Sequence, residues 1–109
     1  HLPGIETQPV IKMGNLIIDL AHSKVEKEGK EVNLTPTEHR LLQCLAVNIG
    51  RVVVQEELQE RVWGPEYRER YEGLRVFIMR LRQKIEDDPE HPIHIITKPG
   101  IGYVLASPS

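Results

Sequence analysis

The stretch Arg70-Tyr71-Glu72-Gly73-Leu74-Arg75-Val76-Phe77-Ile78-Met79-Arg80-Leu81-Arg82-Gln83-Lys84-Ile85 decides how the rest of the chain is read. Stepped at about 100° per residue from Ile78, its residues Leu74, Leu81, Ile85 and Tyr71 fall within roughly 60° of one direction, which predicts an amphipathic helix with a single buried stripe. The opposite side carries Glu72, Gly73, Val76, Met79, Arg80 and Gln83. Arg75 and Arg82 border the stripe on one flank; Phe77, Arg70 and Lys84 border it on the other. Such a helix can pack on a domain while its outer face lies in the groove of a polyanion. Val76 and Met79 are out of place on a purely solvated face, whereas in a major groove apolar side chains meet thymine methyls. A partner protein is the alternative receiver of those two side chains. Arg80, near the centre of the outer face, is the candidate for two-point contact to a guanine edge, with Glu72, Val76, Met79 and Gln83 beside it at base edges. Arg70, Arg75 and Arg82 suit phosphate, which positions a protein without reading sequence.

Charge supports the same segment. The whole chain of 109 residues carries a formal charge of −2, which by itself argues mildly against a nucleic-acid partner. Between Arg68 and Lys84, however, six basic residues face only Glu69 and Glu72, a local balance of +4 that leaves −6 for the remainder. A basic segment on an acidic body fits one docking face.

Upstream of the helix, residues His1 to Pro9 hold two prolines and a glycine without periodicity and read as a linker or expression remnant; the domain proper spans 10–107. From Lys12 to Leu34 the pattern is a β-meander. Asn15–Leu20 forms an apolar strand, Ala21-His22-Ser23 a turn, and Val25 the centre of a half-buried strand. Glu28-Gly29-Lys30 is a hairpin turn, and Glu31-Val32-Asn33-Leu34 alternates strictly. At Thr35-Pro36-Thr37-Glu38 the period changes: a hydroxyl cap, a proline in the first turn and a glutamate three residues on make a capping box. Leu41, Leu42, Leu45 and Ile49 continue at helical spacing until Asn48 or Gly50 stops the helix. Arg51–Val54 is a β-branched candidate strand. A shorter helix follows over Glu56–Val62, with Leu58, Val62 and Trp63 inward, and Gly64-Pro65 ends it. A charged connection, Glu66 to Tyr71, leads into the basic helix. Beyond it, Ile93–Thr97 and Ile101–Leu105 flank Lys98-Pro99-Gly100 as a terminal hairpin. Two helices with a turn, then a hairpin, is the plan of a helix-turn-helix with a wing.

In their order and spacing these pieces resemble the OmpR/PhoB-type winged-helix effector domain of bacterial response regulators, over about Val10 to Leu105. The matching segments are Leu34-Thr35-Pro36-Thr37-Glu38 with Leu41-Leu42, Gly50-Arg51-Val52-Val53, and Leu58 with Val62-Trp63-Gly64. Leu74, Val76, Ile78, Arg80-Leu81-Arg82 and Lys84-Ile85 follow, then Thr97 with Gly100-Ile101-Gly102-Tyr103. Leu81–Glu86 with Asp88-Pro89 and the last glycine segment is also similar to the potassium-transport-operon regulators. The resemblance implies an α+β fold with a four-stranded antiparallel N-terminal sheet, three helices and a C-terminal β-hairpin wing. It implies the third helix in the major groove and the wing, with Lys98 and Gly100, near the minor groove. Trp63 and Tyr103 stand where the family donates to phosphate. Gly64, Pro65, Glu66, Tyr67 and Arg68, in the loop between the second and third helices, stand where it meets RNA polymerase. It further implies an N-terminal receiver domain in the intact protein, and a dimer on tandem DNA half-sites.

Two positions depart from the family pattern. Val54-Gln55 offers no hydroxyl to cap the second helix. Pro99 occupies the place where many members carry a minor-groove arginine, which leaves Lys98 for phosphate attraction.

Other function classes find little support. There is no apolar run of the ~20 residues that a membrane span needs and no signal-peptide pattern, and single Cys44 suits a reducing, cytoplasmic setting and small-residue packing. No phosphate loop, metal motif, cofactor signature or nucleophile with a positioned base is present, so no catalysis is expected. His91 and His94 straddle a proline turn without a third ligand; His1, His22 and His39 are scattered. The remaining alternative is a winged-helix module that binds protein and not DNA.

Overall fold

The computed structural model describes residues 10–64 and 71–107. Four short strands come first: β1 (Val10–Met13), β2 (Leu16–Asp19), β3 (Lys24–Lys27) and β4 (Lys30–Glu31), paired antiparallel in chain order. Ile11, Met13, Leu16, Ile18 and Val25 are buried, while Lys12, Lys24 and Lys30 are exposed. That alternation is the period-two signature of a sheet with one covered face. β1 is a strand the residue pattern alone did not supply, although the family resemblance required a fourth. The expected strand Glu31–Leu34 ends at Glu31; Val32 and Leu34 instead pack half-buried against the core.

Helix α1 spans Pro36–Val47. Its capping box is complete: Glu38 N–H donates to Thr35 Oγ1 at 3.2 Å, and Thr35 N–H donates to Glu38 Oε1 at 2.9 Å. Two N–H groups that the helix cannot satisfy internally are thereby paired, a contribution of about 1 kcal/mol. Helix α2 spans Gln55–Trp63 and begins at Val54 without a side-chain cap, as its sequence predicts. The Gln55 N–H is received instead by the carbonyl of Ile101 at 3.2 Å, so the hairpin does part of the work a hydroxyl would do. Helix α3 spans Tyr71–Ile85. Leu74, Ile78, Leu81 and Ile85 on its inner side are fully buried with Leu41, Leu42 and Leu45 of α1 and Leu58 and Val62 of α2.

A second, three-stranded sheet closes the fold. It joins β5 (Val53–Val54), β6 (Ile95–Lys98) and β7 (Gly102–Leu105) in the order β5-β7-β6, all antiparallel. β7 is central, and Gly102 is what lets β5 approach it: a Cβ there would lie 2.0 Å from the Val53 carbonyl oxygen. The β6–β7 tip is a tight turn, with Ile101 N–H donating to Lys98 O at 2.9 Å. Pro99 fixes the second position, and Gly100, at φ +75°, supplies the left-handed third. The hairpin is the expected one, shortened because Ile93 and Ile101 stay outside the strands. Four antiparallel strands, three helices and a terminal hairpin make this an α+β winged helix-turn-helix.

Candidate nucleic-acid interface

The outer side of α3 presents Arg75, Val76, Met79, Arg80 and Gln83 to solvent. Val76 is 40% and Met79 56% exposed, on a helix whose inner residues are sealed. Arg80 is not a free whip. Its guanidinium carbon lies 5.1 Å from the centre of the Phe77 ring, and Phe77 meets Trp63 edge-on at 5.4 Å between centroids. A chain of contacts thus runs from the last residue of α2 through Phe77 to Arg80. An exposed cation–π contact of this kind contributes about 0.5–1 kcal/mol and restrains the guanidinium before any ligand arrives. The Trp63 ring, expected at phosphate, is half-buried in that stack.

The other two cations of α3 turn inward. Arg82 donates from Nε and Nη2 to the Ile95 carbonyl at 3.1 and 2.8 Å, and from Nη2 to Thr97 Oγ1 at 2.7 Å. Its guanidinium also lies 5.9 Å from the Tyr103 ring centre. Burial pushes its pKa down from the ordinary guanidinium value, opposed by Tyr103 and Glu86. Lys84 Nζ donates to Glu38 Oε1 at 2.6 Å and to the Asn33 carbonyl at 3.0 Å. Glu38 is only 2% exposed. Burial alone would raise its pKa; hydrogen bonds from Lys84 and the Thr35 N–H outweigh that and hold it below the usual 4.5. The local +4 read from the sequence therefore overstates the charge on the outer face, since half-buried Lys84 is paired with Glu38. Arg82, expected at phosphate, has its donors directed at β6.

Tyr103, the other residue expected to donate to phosphate, is 5% exposed and belongs to the core. On the wing, Lys98, Pro99 and Gly100 are exposed. Gly64 caps α2, donating its N–H to the Glu60 carbonyl at 2.8 Å. Pro65, Glu66, Tyr67, Arg68 and Arg70, along with the side chain of Glu72 and the segment 1–9, lie outside the described residues.

Sequence reasoning overlooked Glu86. Just past α3, it is 2% exposed and accepts the N–H groups of Ile93, His94 and Ile95 at 2.8, 3.0 and 2.8 Å. A glutamate directly after the last apolar residue of the helix was the available signal, but its partners lie seven to nine residues away across a proline turn.

The remaining reactive side chains are poorly placed for chemistry. Burial raises the Cys44 thiol pKa, and the nearby Glu57 adds to the rise against the pull of Arg61. His22 and His91 bond Asp19 and Asp88 at 3.0 and 2.9 Å, both on the surface. Among the described residues, no cluster of three His, Cys, Asp or Glu side chains could hold a metal, and no helix is long and apolar enough to cross a membrane.

A family model described as "Transcriptional regulatory protein, C terminal" matches residues 29–105. The chain is 50% identical over 96 residues to the transcriptional regulatory protein KdpE of Mycobacterium tuberculosis, covering 88% of this chain and 42% of that protein. It thus spans less than half the length of that relative. Among solved structures it is similar to the Thermotoga maritima response regulator DrrB, an OmpR/PhoB homologue. There the TM-score is 0.76 at 34% identity, over 92% of this chain and 45% of that one. The Klebsiella pneumoniae RstA DNA-binding domain, solved in complex with the RstA box, gives a TM-score of 0.79 at 29% identity. That match covers 91% of this chain and 98% of the other.

Proposed function

This chain belongs to the family of transcriptional regulatory protein C-terminal domains, in its OmpR/PhoB winged-helix group and KdpE branch, and from that membership we propose how it reads DNA. The family regulates transcription by binding DNA and is not enzymatic. The outer face of α3 enters the major groove of double-stranded DNA. Arg80 contacts a guanine edge, and Val76, Met79, Gln83 and Glu72 complete the reading set. Arg75 and Arg70 grip phosphate beside it, with the Trp63 indole and the Tyr103 hydroxyl as further donors. Lys98 and Gly100 bring the wing towards the minor groove; because Pro99 donates nothing, the wing contributes attraction more than base reading.

One observation carries this reading. Two apolar side chains and an aromatic-braced arginine share the exposed side of a helix whose other side is buried. Solvent rewards none of that arrangement, and a groove rewards all of it. In the intact cytoplasmic regulator a receiver domain precedes this one. The protein binds tandem half-sites as a dimer, and residues 64–68 meet RNA polymerase.

Titration of a duplex selected from a random-sequence pool, at two salt concentrations, tests the proposal. Affinity should fall steeply as salt rises, because each neutralised phosphate releases counterions. No measurable affinity at low salt would overturn it and leave a domain that binds protein alone.

A further inference from the structure

Arg82 and Glu86 stand one helical turn apart and meet the two outward backbone groups of a single residue, Ile95. The Ile95 carbonyl accepts from Arg82, and the Ile95 N–H donates to Glu86 Oε2. Ile95 opens β6, the edge strand of the second sheet, where it faces Leu105 of β7. The neighbouring bond from Ala106 N–H to His94 O shows the phase of this pairing, so the polar groups of Ile95 point away from β7. An edge strand's outward groups are ordinarily left to water or to another chain. Here α3 takes them, with Thr97 as a further anchor point and the Ile93 and His94 N–H groups bound to the same carboxylate. Lys98 lies three residues further along β6, about 10 Å from the clamp.

We propose that Arg82 and Glu86 are positioning residues for DNA recognition: they lock the wing to α3 and so set where Lys98 stands relative to the α3 outer face. This rests on the DNA-binding reading above. It assigns Arg82 to the protein's own backbone and gives a function in binding to an acid, Glu86, that would otherwise oppose a polyanion.

That opposition of signs makes the test sharp. Glu86→Gln removes a negative charge, which alone would tighten DNA binding, but leaves one good acceptor for three N–H donors. Arg82→Lys keeps the charge and loses the two-point fork. The probe is a duplex selected from a random-sequence pool by the unsubstituted chain. Each variant should bind it roughly fivefold more weakly, and that loss should vanish in a Lys98→Ala background, where the wing has nothing left to position. Amide exchange at Ile95 should quicken in Glu86→Gln while α1 and α2 keep their protection. Should Glu86→Gln unfold, Arg82→Lys with its Lys98→Ala double variant carries the same comparison. Unchanged or tighter binding by the variants, or losses that add in full to that of Lys98→Ala, would overturn the clamp. The two failures separate in one experiment. If the unsubstituted chain binds no duplex, the DNA reading falls and takes the clamp's function with it; if it binds well and the variants behave independently, only the clamp falls.

Discussion

Arg75 and Arg80 stand in solvent on α3, whereas Arg82 and Lys84, in its last turn, fold back towards the protein. All four belong to one helix, and a count of charge treats them alike. Their surroundings do not. Among the described residues the first pair meets only the Phe77 ring, at Arg80; the second pair holds the wing strand and the N-terminus of α1. A basic helix thus divides its cations between binding and construction. Only the exposed share is available to steer a polyanion.

The strongest break of this division would come from Lys84. Lys84→Ala leaves the Glu38 carboxylate buried with its remaining donor, the Thr35 N–H. We expect a loss of about 2–3 kcal/mol, at or below the fully buried range because Lys84 is a third exposed. Urea unfolding measures it; a change near zero would show that Lys84 does not hold Glu38 in the folded chain and would count it with the solvent-facing cations. Arg80→Ala should cost at most about 0.5–1 kcal/mol of stability, the share of its Phe77 contact, while costing about 1–3 kcal/mol on a selected duplex and relaxing preference at one base pair. A loss shared equally by all sequences would demote Arg80 from reader to phosphate contact. Arg75→Ala should do just that, weakening every duplex alike and lowering the salt slope by about 0.9.

The smallest effect is in acid. The Glu38 pKa is lower folded than unfolded, so its pair with Lys84 contributes stability above the unfolded value near 4.5. That contribution is lost as pH falls below 4.5 through the folded value. Asp19, Asp87 and Asp88 are also held low, by hydrogen bonds from His22, Lys27 and His91 respectively. The comparison between the unsubstituted chain and Lys84→Ala isolates Glu38: the variant's stability should decline less between pH 5 and pH 3, values chosen to bracket about 4.5. Parallel declines would show that the pair is not what lowers the Glu38 pKa.

What the sequence made legible was local. Thr35 and Glu38 are three residues apart, and that spacing alone specifies the capping box. Leu74, Ile78, Leu81 and Ile85 recur at the helical period, and their burial follows from it. Pro99-Gly100 dictates the tip of the wing. What stayed hidden joins distant parts of the chain. Lys84 reaches 46 residues back to Glu38, Arg82 reaches 13 forward to Ile95, and the Trp63–Phe77 contact depends on how α2 crosses α3. Angular position on a wheel put Arg82 and Lys84 on the flanks of the stripe but could not say that other elements would close over them. Gln59 marks the same limit on α2. It is fully buried, and neither amide atom finds a partner among the described residues. That leaves a cost of about 1–3 kcal/mol that no local pattern announces.

The division between exposed and inward cations is tested most directly by the salt dependence of DNA binding in the Arg75→Ala/Arg80→Ala double variant. Measured on a selected duplex against the unsubstituted chain, affinity should drop and the slope of its logarithm against the logarithm of salt concentration should become shallower by about 0.9, the share of the phosphate contact at Arg75. A slope identical to that of the unsubstituted chain would contradict the account, because the exposed face of α3 would then not be the one that meets DNA.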